Sequence, residues 1–306
     1  SEAGPRTVPQ ALPAPLTPFV GRVAERAALA DAVAEARLVT ALGPGGVGKT
    51  RLALAVAAEV VDRFPGGIWY VDLVPVTDPL MVTPTVAATL GVGEQPGRSL
   101  EDTLASAVGA RRTLLVLDNC EHLADGVAVV VERLLTRCPE LTVLATSRIR
   151  LVLPFERPFP VPGLSLPGTT AAEGDADRDG GTGDAVALFL ARAAALGTPL
   201  DSVEDRRRVA EVCRALDGMA LAIELAASRL PALGLDGLEA GLADHLRILT
   251  GGSRADERHR SLRATLDWSF ALATPADRAT LRRVAVFAAP FTAAAATAVA
   301  GDGPAG

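Results

Sequence analysis

The chain has 306 residues, of which 49% are apolar and only 4% are aromatic, and this length predicts roughly two domains of ~100–200 residues each. Its 36 acidic and 30 basic residues give a formal net charge of -6, which argues against a dedicated nucleic-acid binder because such proteins neutralise phosphates with excess Lys and Arg. The 3 cysteines are scattered without a C-x-x-C pair, so we expect a reducing compartment and no metal site built from cysteine.

The two ends of the chain suggest a piece of a longer protein. The chain begins at Ser1 without a methionine and stops at Gly306, just after a helical pattern. Five prolines within residues 1–18 predict an extended linker over residues 1–17. No apolar run reaches the ~18 residues of a membrane span, and the start lacks the charged-then-apolar order of a signal peptide. We therefore expect a cytoplasmic protein without membrane contact.

The strongest pattern is a P-loop match, G-P-G-G-V-G-K-T, from Gly43 to Thr50. An apolar run ending at Leu42 predicts a buried strand before the loop, and helix-forming residues follow it. In this context backbone N–H groups and the helix N-terminus attract phosphate. Lys49 is the single lysine of the chain, and its compact ammonium reaches β- and γ-phosphate oxygens where a broad guanidinium cannot. The predicted nucleotide contacts of the loop are Gly45, Gly46, Val47, Gly48, Lys49, Thr50 and Arg51.

Short apolar runs alternate with helical patterns between residues 37 and 162. The predicted strands are residues 37–42, 68–73, 113–118 and 141–146, and the predicted helices are residues 49–63, 80–90, 100–110 and 120–137. This alternation predicts an α/β fold, in which a P-loop NTPase parallel sheet carries helices on both faces. We assign residues 18–165 to this nucleotide-binding domain.

Asp118 ends the third apolar strand, where a Walker B acid belongs. We predict that Asp118 and the Thr50 hydroxyl bind Mg²⁺, although a strand-end aspartate can also serve as a helix cap. Asn119 occupies the position where vigorous ATPases of this type place a second acid to activate water. Because an amide cannot accept that proton, this residue predicts slow hydrolysis.

Glu121 and Arg148 complete a candidate catalytic set with Lys49 and Asp118. Glu121 is a candidate for the missing carboxylate, and its alternative role is a solvated first-turn residue that complements the helix dipole. Arg148 follows the fourth strand, beside the Walker B strand, and we predict that it senses the γ-phosphate. Its alternative role is a surface salt bridge.

The composition changes to Gly, Pro, Asp and Thr between residues 162 and 183, which predicts a flexible connection; we assign residues 166–183 to it. No strand pattern follows. The predicted helices are residues 185–196, 203–216, 219–230, 235–246, 261–271, 275–288 and 292–300. Thr274 before Pro275 is the expected cap of one of them.

Five stretches in this order resemble the STAND class of signalling NTPases, and more narrowly the NB-ARC-type module of AfsR-like regulators in the Streptomyces antibiotic regulatory protein family. They are F-V-G-R at 19–22, the P-loop, L-L-V-L-D-N-C-E-H-L at 114–123, A-T-S-R at 145–148 and G-M-A-L-A-I-E-L-A at 218–226. The resemblance covers roughly residues 18 to 300. It implies ATP and ADP as ligands, together with Mg²⁺.

The resemblance also implies roles for residues outside the P-loop. Val20 and Arg22 would contact the base, and Met219, Ala220 and Leu221 would pack on adenine from a helical lid, with Ala220 in place of the family's proline. Residues 184–252 would form that lid, and residues 253–306 the start of a winged-helix domain. In the family ADP keeps the module closed and ATP permits self-association. The DNA-binding and helical-repeat domains of the full-length regulator are not in this chain.

Three functions compete. The leading hypothesis is an ATP/ADP-dependent switch with weak ATPase activity, taken from a transcriptional activator of secondary metabolism. The second is a turnover-driven P-loop ATPase. The third is direct DNA binding through the basic residues Arg254, Arg258, Arg260 and Arg263. The missing second acid favours a switch, and the acidic balance disfavours DNA. The expectation of adenine over guanine rests on the resemblance, and no guanine-reading N-K-x-D motif can exist in a chain whose only lysine lies in the P-loop.

Overall fold

The computed structural model describes residues 12–168, 183–247, 270, 275–287 and 291–301. These residues belong to two compact units. The first unit contains the residues up to Phe19, Val23–Gly43 and Gly48–Pro162. The second contains Val20–Arg22, Pro44–Val47 and the residues from Gly163 onward.

The first unit alternates strands and helices as the sequence predicts. Its elements are α1 (Val23–Glu35), β1 (Leu38–Leu42), α2 (Lys49–Glu59), β2 (Ile68–Asp72), α3 (Val82–Thr89), α4 (Leu100–Val108), β3 (Thr113–Asp118), α5 (Ala124–Arg137), β4 (Leu141–Ser147) and β5 (Arg157–Pro160). Short 3-10 helices lie at Val61–Arg63, Pro79–Met81 and Cys120–Leu123. The four predicted strands are confirmed to within one residue at each end.

The five strands form one parallel sheet in the order β2-β3-β4-β1-β5. Strand β4 therefore lies between the P-loop strand β1 and the Walker B strand β3. Since the carboxyl ends of parallel strands meet at one edge, this order brings the P-loop, Asp118 and Thr146 to the same edge of the sheet. The predicted α/β class is confirmed.

Both faces of the sheet are covered by helices. All six residues of β3 are buried, as expected for a central parallel strand between two helical layers. Leu115 and Leu117 belong to a core cluster shared with α3, α4 and α5. Leu114 and Val116 alternate to the opposite face of the strand, and helix α2 packs on β3 and β4.

The sequence analysis missed two elements of this unit. Helix α1 buries Leu29, Ala32 and Val33. Their i, i+3, i+4 spacing is that of an amphipathic helix, but the apolar stripe is narrow and partly alanine, so the pattern is weak in the sequence. Strand β5 contains Pro158 and Pro160, residues that normally argue against a strand. It lies at the edge of the sheet against β1, where prolines are tolerated because one side needs no ladder hydrogen bonds.

The second unit is helical in its described part. Its helices are α6 (Asp184–Ala195), α7 (Val203–Ala215), α8 (Ala220–Arg247), α9 (Pro275–Val284) and α10 (Ala293–Gly301). Helix α8 joins two predicted helices and is interrupted at Gly234, whose φ is 63°. A 2.8 Å ion pair between Arg192 and Glu224 links α6 to α8.

Several predicted segments lie outside the described residues. They include most of the linkers at 1–17 and 166–183, the helix at 261–271 with the Thr274 cap, and the basic residues Arg254, Arg258, Arg260 and Arg263. The boundaries of the lid and winged-helix domains thus stay predictions. In the part of the chain that the structure describes, no helix combines the length and apolar character needed to cross a membrane.

Candidate functional site

The P-loop connects β1 to α2, and its last glycine has a backbone conformation that requires glycine. Gly48 precedes the first helical residue with a φ of 101°, a region that side chains rarely adopt. Lys49 begins α2 with only 8% of its surface exposed, and its Nζ donates to the Gly43 carbonyl at 2.9 Å. Burial lowers the pKa of Lys49 despite the opposing charges of Glu121 and Asp118. An anionic ligand would relieve this cost by compensating the buried ammonium.

Asp118 lies at the carboxyl end of β3 and is 2% exposed. Its Oδ1 accepts hydrogen bonds from the hydroxyls of Thr50, at 2.7 Å, and Thr146, at 2.5 Å. Its Oδ2 accepts from the Tyr70 hydroxyl at 2.9 Å and from Asn119 Nδ2 at 3.1 Å. The predicted pair of Thr50 and Asp118 is therefore brought into direct contact, and two residues that the sequence analysis missed, Tyr70 and Thr146, complete the cluster.

The donor chemistry of this cluster suits Mg²⁺. A hydroxyl and a carboxylate oxygen are hard ligands, and Mg²⁺ in nucleotide sites uses one or two carboxylates with phosphates and waters. The described residues contain no group of three or more His, Cys, Asp or Glu side chains that could hold a metal ion. A site of Thr50, Asp118 and substrate phosphate needs no such group, so the residues present fit the ion.

Asn119 has a backbone role that the sequence did not reveal. Its φ is 61°, a left-handed conformation that asparagine tolerates better than most residues. Its backbone N–H donates to Thr146 Oγ1 at 3.0 Å. This backbone bond ties the end of β3 to β4, and the Asn119 side chain is turned toward Asp118 by the bond described above.

Glu121 and Arg148 form an ion pair near the P-loop lysine. Arg148 Nε lies 3.1 Å from Glu121 Oε1, and both charges perturb the pKa of Lys49. Glu121 Oε2 is buried without a hydrogen-bond partner in the described structure. The two predicted catalytic residues are thus brought together with Lys49. Their assignment to catalysis or to γ-phosphate sensing stays a prediction.

A buried glutamate that the sequence analysis missed shapes the loop after Arg148. The carboxylate of Glu156 accepts the backbone N–H groups of Leu151 at 2.9 Å and Val152 at 3.0 Å. Val152 has a φ of 59°, which is strained for a β-branched residue. A lone glutamate in an apolar, proline-containing stretch was the available signal, because a carboxylate there must find backbone donors.

The second unit contains both Arg22 and the P-loop segment Pro44–Val47, and Arg22 binds the backbone of that segment. Its Nη2 donates to the Val47 carbonyl at 2.8 Å, and its backbone N–H donates to Asp184 Oδ2 at 2.8 Å. A Cβ on Gly21 would lie 2.1 Å from Asp184 Cγ, so the glycine of F-V-G-R is required. The contact of Arg22 with the base stays a prediction.

The predicted lid residues lie at the start of α8. Leu221 donates its backbone N–H to the Gly46 carbonyl at 3.0 Å. Met219 is fully buried, whereas Leu221 is 37% exposed. Ala220 is the first residue of the helix. The predicted nucleotide contacts Val20 and Gly45 are partly buried.

Arg51, predicted as a nucleotide contact, instead binds the chain before the F-V-G-R stretch in this structure. Its Nη2 donates to the carbonyls of Thr17 and Pro18, each at 3.0 Å. These bonds attach Thr17 and Pro18 to helix α2. A nucleotide role for Arg51 stays a prediction.

Comparisons with known proteins find relatives in sequence and neighbours among solved structures. No protein-family model matches the chain. The uncharacterized protein Rv0894 of Mycobacterium tuberculosis is 41% identical over 278 residues, which cover 90% of this chain and 67% of the relative. Regulatory protein AfsR of Streptomyces coelicolor is 30% identical over 322 residues, covering 97% of this chain and 29% of AfsR.

A third relative, Rv0890c of Mycobacterium tuberculosis, is named as an HTH-type transcriptional regulator. It is 42% identical over 270 residues, which cover 88% of this chain and 29% of the relative's length. The chain therefore spans less than a third of that protein and of AfsR. Among solved structures, a STAND protein with a tetratricopeptide repeat sensor from Pyrococcus horikoshii has a TM-score of 0.51 and 14% identity, covering 91% of this chain and 36% of that protein. This likeness shows a shared fold.

Proposed function

Because the chain belongs to the family of AfsR-like regulators, as a P-loop NTPase module of the STAND class, we propose that it is a regulatory switch that binds ATP and ADP with Mg²⁺. The observation that carries this proposal is the contact between Thr50 and Asp118 beside the buried Lys49. When bound, Mg²⁺ would neutralise phosphate charge, and Thr50 and Asp118 would hold it. Lys49 would supply the positive charge for the β- and γ-phosphates.

The switch requires unequal binding of the two nucleotides, since a ligand shifts an equilibrium only by its differential affinity. Arg148 and Glu121 are the groups that supply this difference in our proposal. The γ-phosphate of ATP competes with Glu121 for Arg148, whereas ADP leaves the ion pair intact. ATP binding would then promote self-association, and slow hydrolysis would return the module to the ADP state. In the full-length regulator this change would reach the DNA-binding and sensor domains.

The experiment for the binding site is a titration of Lys49→Ala with ATP and ADP. We expect both affinities to fall at least tenfold, about 1.4 kcal/mol, because the loop loses its charge. Arg63→Ala is the matched control, since it removes an exposed cation from the 3-10 helix after α2 and should leave both affinities unchanged. Equal affinities of Lys49→Ala and the parent protein would exclude this site.

One observation favours the second candidate, a turnover-driven ATPase. The Glu121 Oε2 is buried and has no hydrogen-bond partner among the described residues, so it is free to accept the proton of an attacking water. Single-turnover hydrolysis separates the two functions: a switch should turn over well below the ~10 s⁻¹ typical of enzymes. Rates at or above that value would favour the turnover-driven ATPase. Light scattering in ATP and in ADP tests the expected self-association directly.

A further inference from the structure

We infer that Tyr70 is a positioning residue for Mg²⁺, acting through its hydrogen bond to Asp118. This inference rests on the proposed nucleotide function, and it concerns a residue that the phosphate chemistry itself does not require. Tyr70 lies on β2, the strand next to β3, and Asp72 of β2 pairs in register with Asp118. The tyrosine is thus two residues before the strand end, and its long side chain reaches the carboxylate with its hydroxyl at 2.9 Å.

The contacts of Asp118 divide into two pairs. One carboxylate oxygen, Oδ1, accepts from Thr50 and Thr146, and the other, Oδ2, accepts from Tyr70 and Asn119. An ionised carboxylate offers about four lone-pair sites, so these donors together fix the rotation of the group. The hydrogen bonds from Tyr70 and Asn119 fix the position of Oδ2. They thereby keep Oδ1 directed at the Thr50 hydroxyl, and Mg²⁺ would bind beside these two oxygens.

The chemistry of these donors also suits a cation site. Hydroxyl and amide groups are neutral, so they satisfy the buried carboxylate without cancelling the negative charge that attracts Mg²⁺. A guanidinium in the position of the phenol would cancel that charge. A tyrosine hydroxyl is a hydrogen-bond donor near neutral pH, and Tyr70 directs it at the Asp118 carboxylate.

The test compares ATP affinity in Mg²⁺ and in EDTA for the parent protein and Tyr70→Phe. We expect the EDTA affinity to stay within twofold, because Lys49 and the P-loop are unchanged. The tightening by Mg²⁺ should shrink at least tenfold, because a hydrogen bond to the charged Asp118 is lost. A merely structural role would lower both affinities together, and that result would overturn the inference. Thr113→Val, which removes a hydroxyl from the opposite end of β3, should change neither.

A double-mutant cycle tests the shared oxygen. Asn119→Ala should also weaken Mg²⁺-dependent binding, and the combined variant should lose less than the product of the two single losses, because both residues hold Oδ2. Independent, multiplicative losses would contradict a shared action. If Tyr70→Phe folds poorly, Asn119→Ala still tests the inference, since it removes a bond to the same Asp118 Oδ2 from a residue outside the strands.

Tyr70 is the only tyrosine of the chain, which provides a direct readout. Protein labelled with ¹³Cζ-tyrosine should give one ring resonance, and Mg²⁺ added to the ATP complex should shift it. Asp118→Asn should abolish the Mg²⁺-dependent part of that shift, and an unmoved resonance in the parent protein would overturn the inference. Failure of the proposed function is distinct: in that case the parent protein would show no ATP binding, or no Mg²⁺ effect on it.

Discussion

Arg148 Nε lies 3.1 Å from Glu121 Oε1, and the arginine side chain of this pair is 54% exposed. Exposed ion pairs contribute only about 0–1 kcal/mol. Charge-assisted bonds from arginine to phosphate are stronger, and they are often bidentate. Because the arginine of the pair is open to solvent while the Glu121 side chain is 21% exposed, we expect an incoming phosphate to approach from the arginine side and to displace Glu121 from Arg148.

Arg148→Ala should reduce discrimination between ATP and ADP. We expect ATP affinity to fall about tenfold, or about 1.4 kcal/mol, and ADP affinity to stay nearly constant, because only ATP carries the phosphate that competes for the arginine. Titration calorimetry with both nucleotides measures the effect. Arg150→Ala is a matched control, since Arg150 is similarly exposed and forms its ion pair with Glu156. Equal losses for ATP and ADP would show that Arg148 does not sense the γ-phosphate.

Asn119→Asp should fail to accelerate hydrolysis, although the sequence alone favours an increase from restoring a second acid. Asn119 Nδ2 donates to Asp118 Oδ2 at 3.1 Å, and the substitution would place two carboxylates at that distance. Like charges so close raise the pKa of one group and disturb the fixed Asp118. Single-turnover hydrolysis of the variant should be no faster than that of the parent protein. A clear increase would mean that position 119 can turn its side chain toward water.

Ala220→Pro should stabilise the protein by about 0.4–1 kcal/mol. Ala220 is the first residue of α8, where proline is favoured because its missing N–H has no helical partner and its fixed φ suits the turn. The bond from Leu221 to the Gly46 carbonyl is one residue further on and would remain. Chemical denaturation measures the gain in the free energy of unfolding. Ile223→Pro is the control and should destabilise the protein, since it removes the N–H that donates to the Met219 carbonyl. A loss of stability in Ala220→Pro would show that the helix start cannot accept the ring.

Cys213 gives the second unit a defined alkaline sensitivity. Burial raises the pKa of Cys213 to about 12, above its ordinary value of about 8.5. The folded state thus holds the proton more tightly, so this contribution to stability is complete below pH ~8.5 and is lost as the pH rises toward 12. Between about pH 8 and 10.5, unfolding measured by circular dichroism should show a loss of roughly 2.5 kcal/mol that is absent in Cys213→Ala.

The control for this experiment is a substitution on the same helix that removes volume without a titrating group. Val209 is fully buried on α7, so Val209→Ala should lower stability at every pH and keep the alkaline slope of the parent protein. An identical slope in Cys213→Ala and the parent protein would assign the alkaline loss to other groups.

The elements that carry the site could be predicted because their signals are local. The glycine loop before Lys49 and the apolar strand ending in Asp118 each specify their own conformation, and a parallel sheet brings such strand ends to one edge. Tyr70 and Thr146 could not be assigned in this way. Their contact with Asp118 depends on the strand order, which places β3 between β2 and β4, and no sequence spacing encodes that order.

Position 119 shows a second limit of the sequence. The residue type shows that position 119 supplies no acid, but it gives no sign of the left-handed backbone or of the bond to Asp118. Glu156 is similar, since two of its partners are the backbone N–H groups of Leu151 and Val152, which any residues at those positions would have supplied. Both depend on backbone geometry, which apolar periodicity does not report.

The prolines of β5 have a consequence for how copies of this protein can meet. An open sheet edge with free N–H groups invites another strand and leads to edge-to-edge aggregation. Pro158 and Pro160 fall within the four residues of the edge strand, and neither has an N–H to offer. An incoming chain would find at most half of the donors that a strand ladder needs. Strand β5 therefore protects this edge of the sheet against uncontrolled addition of further strands.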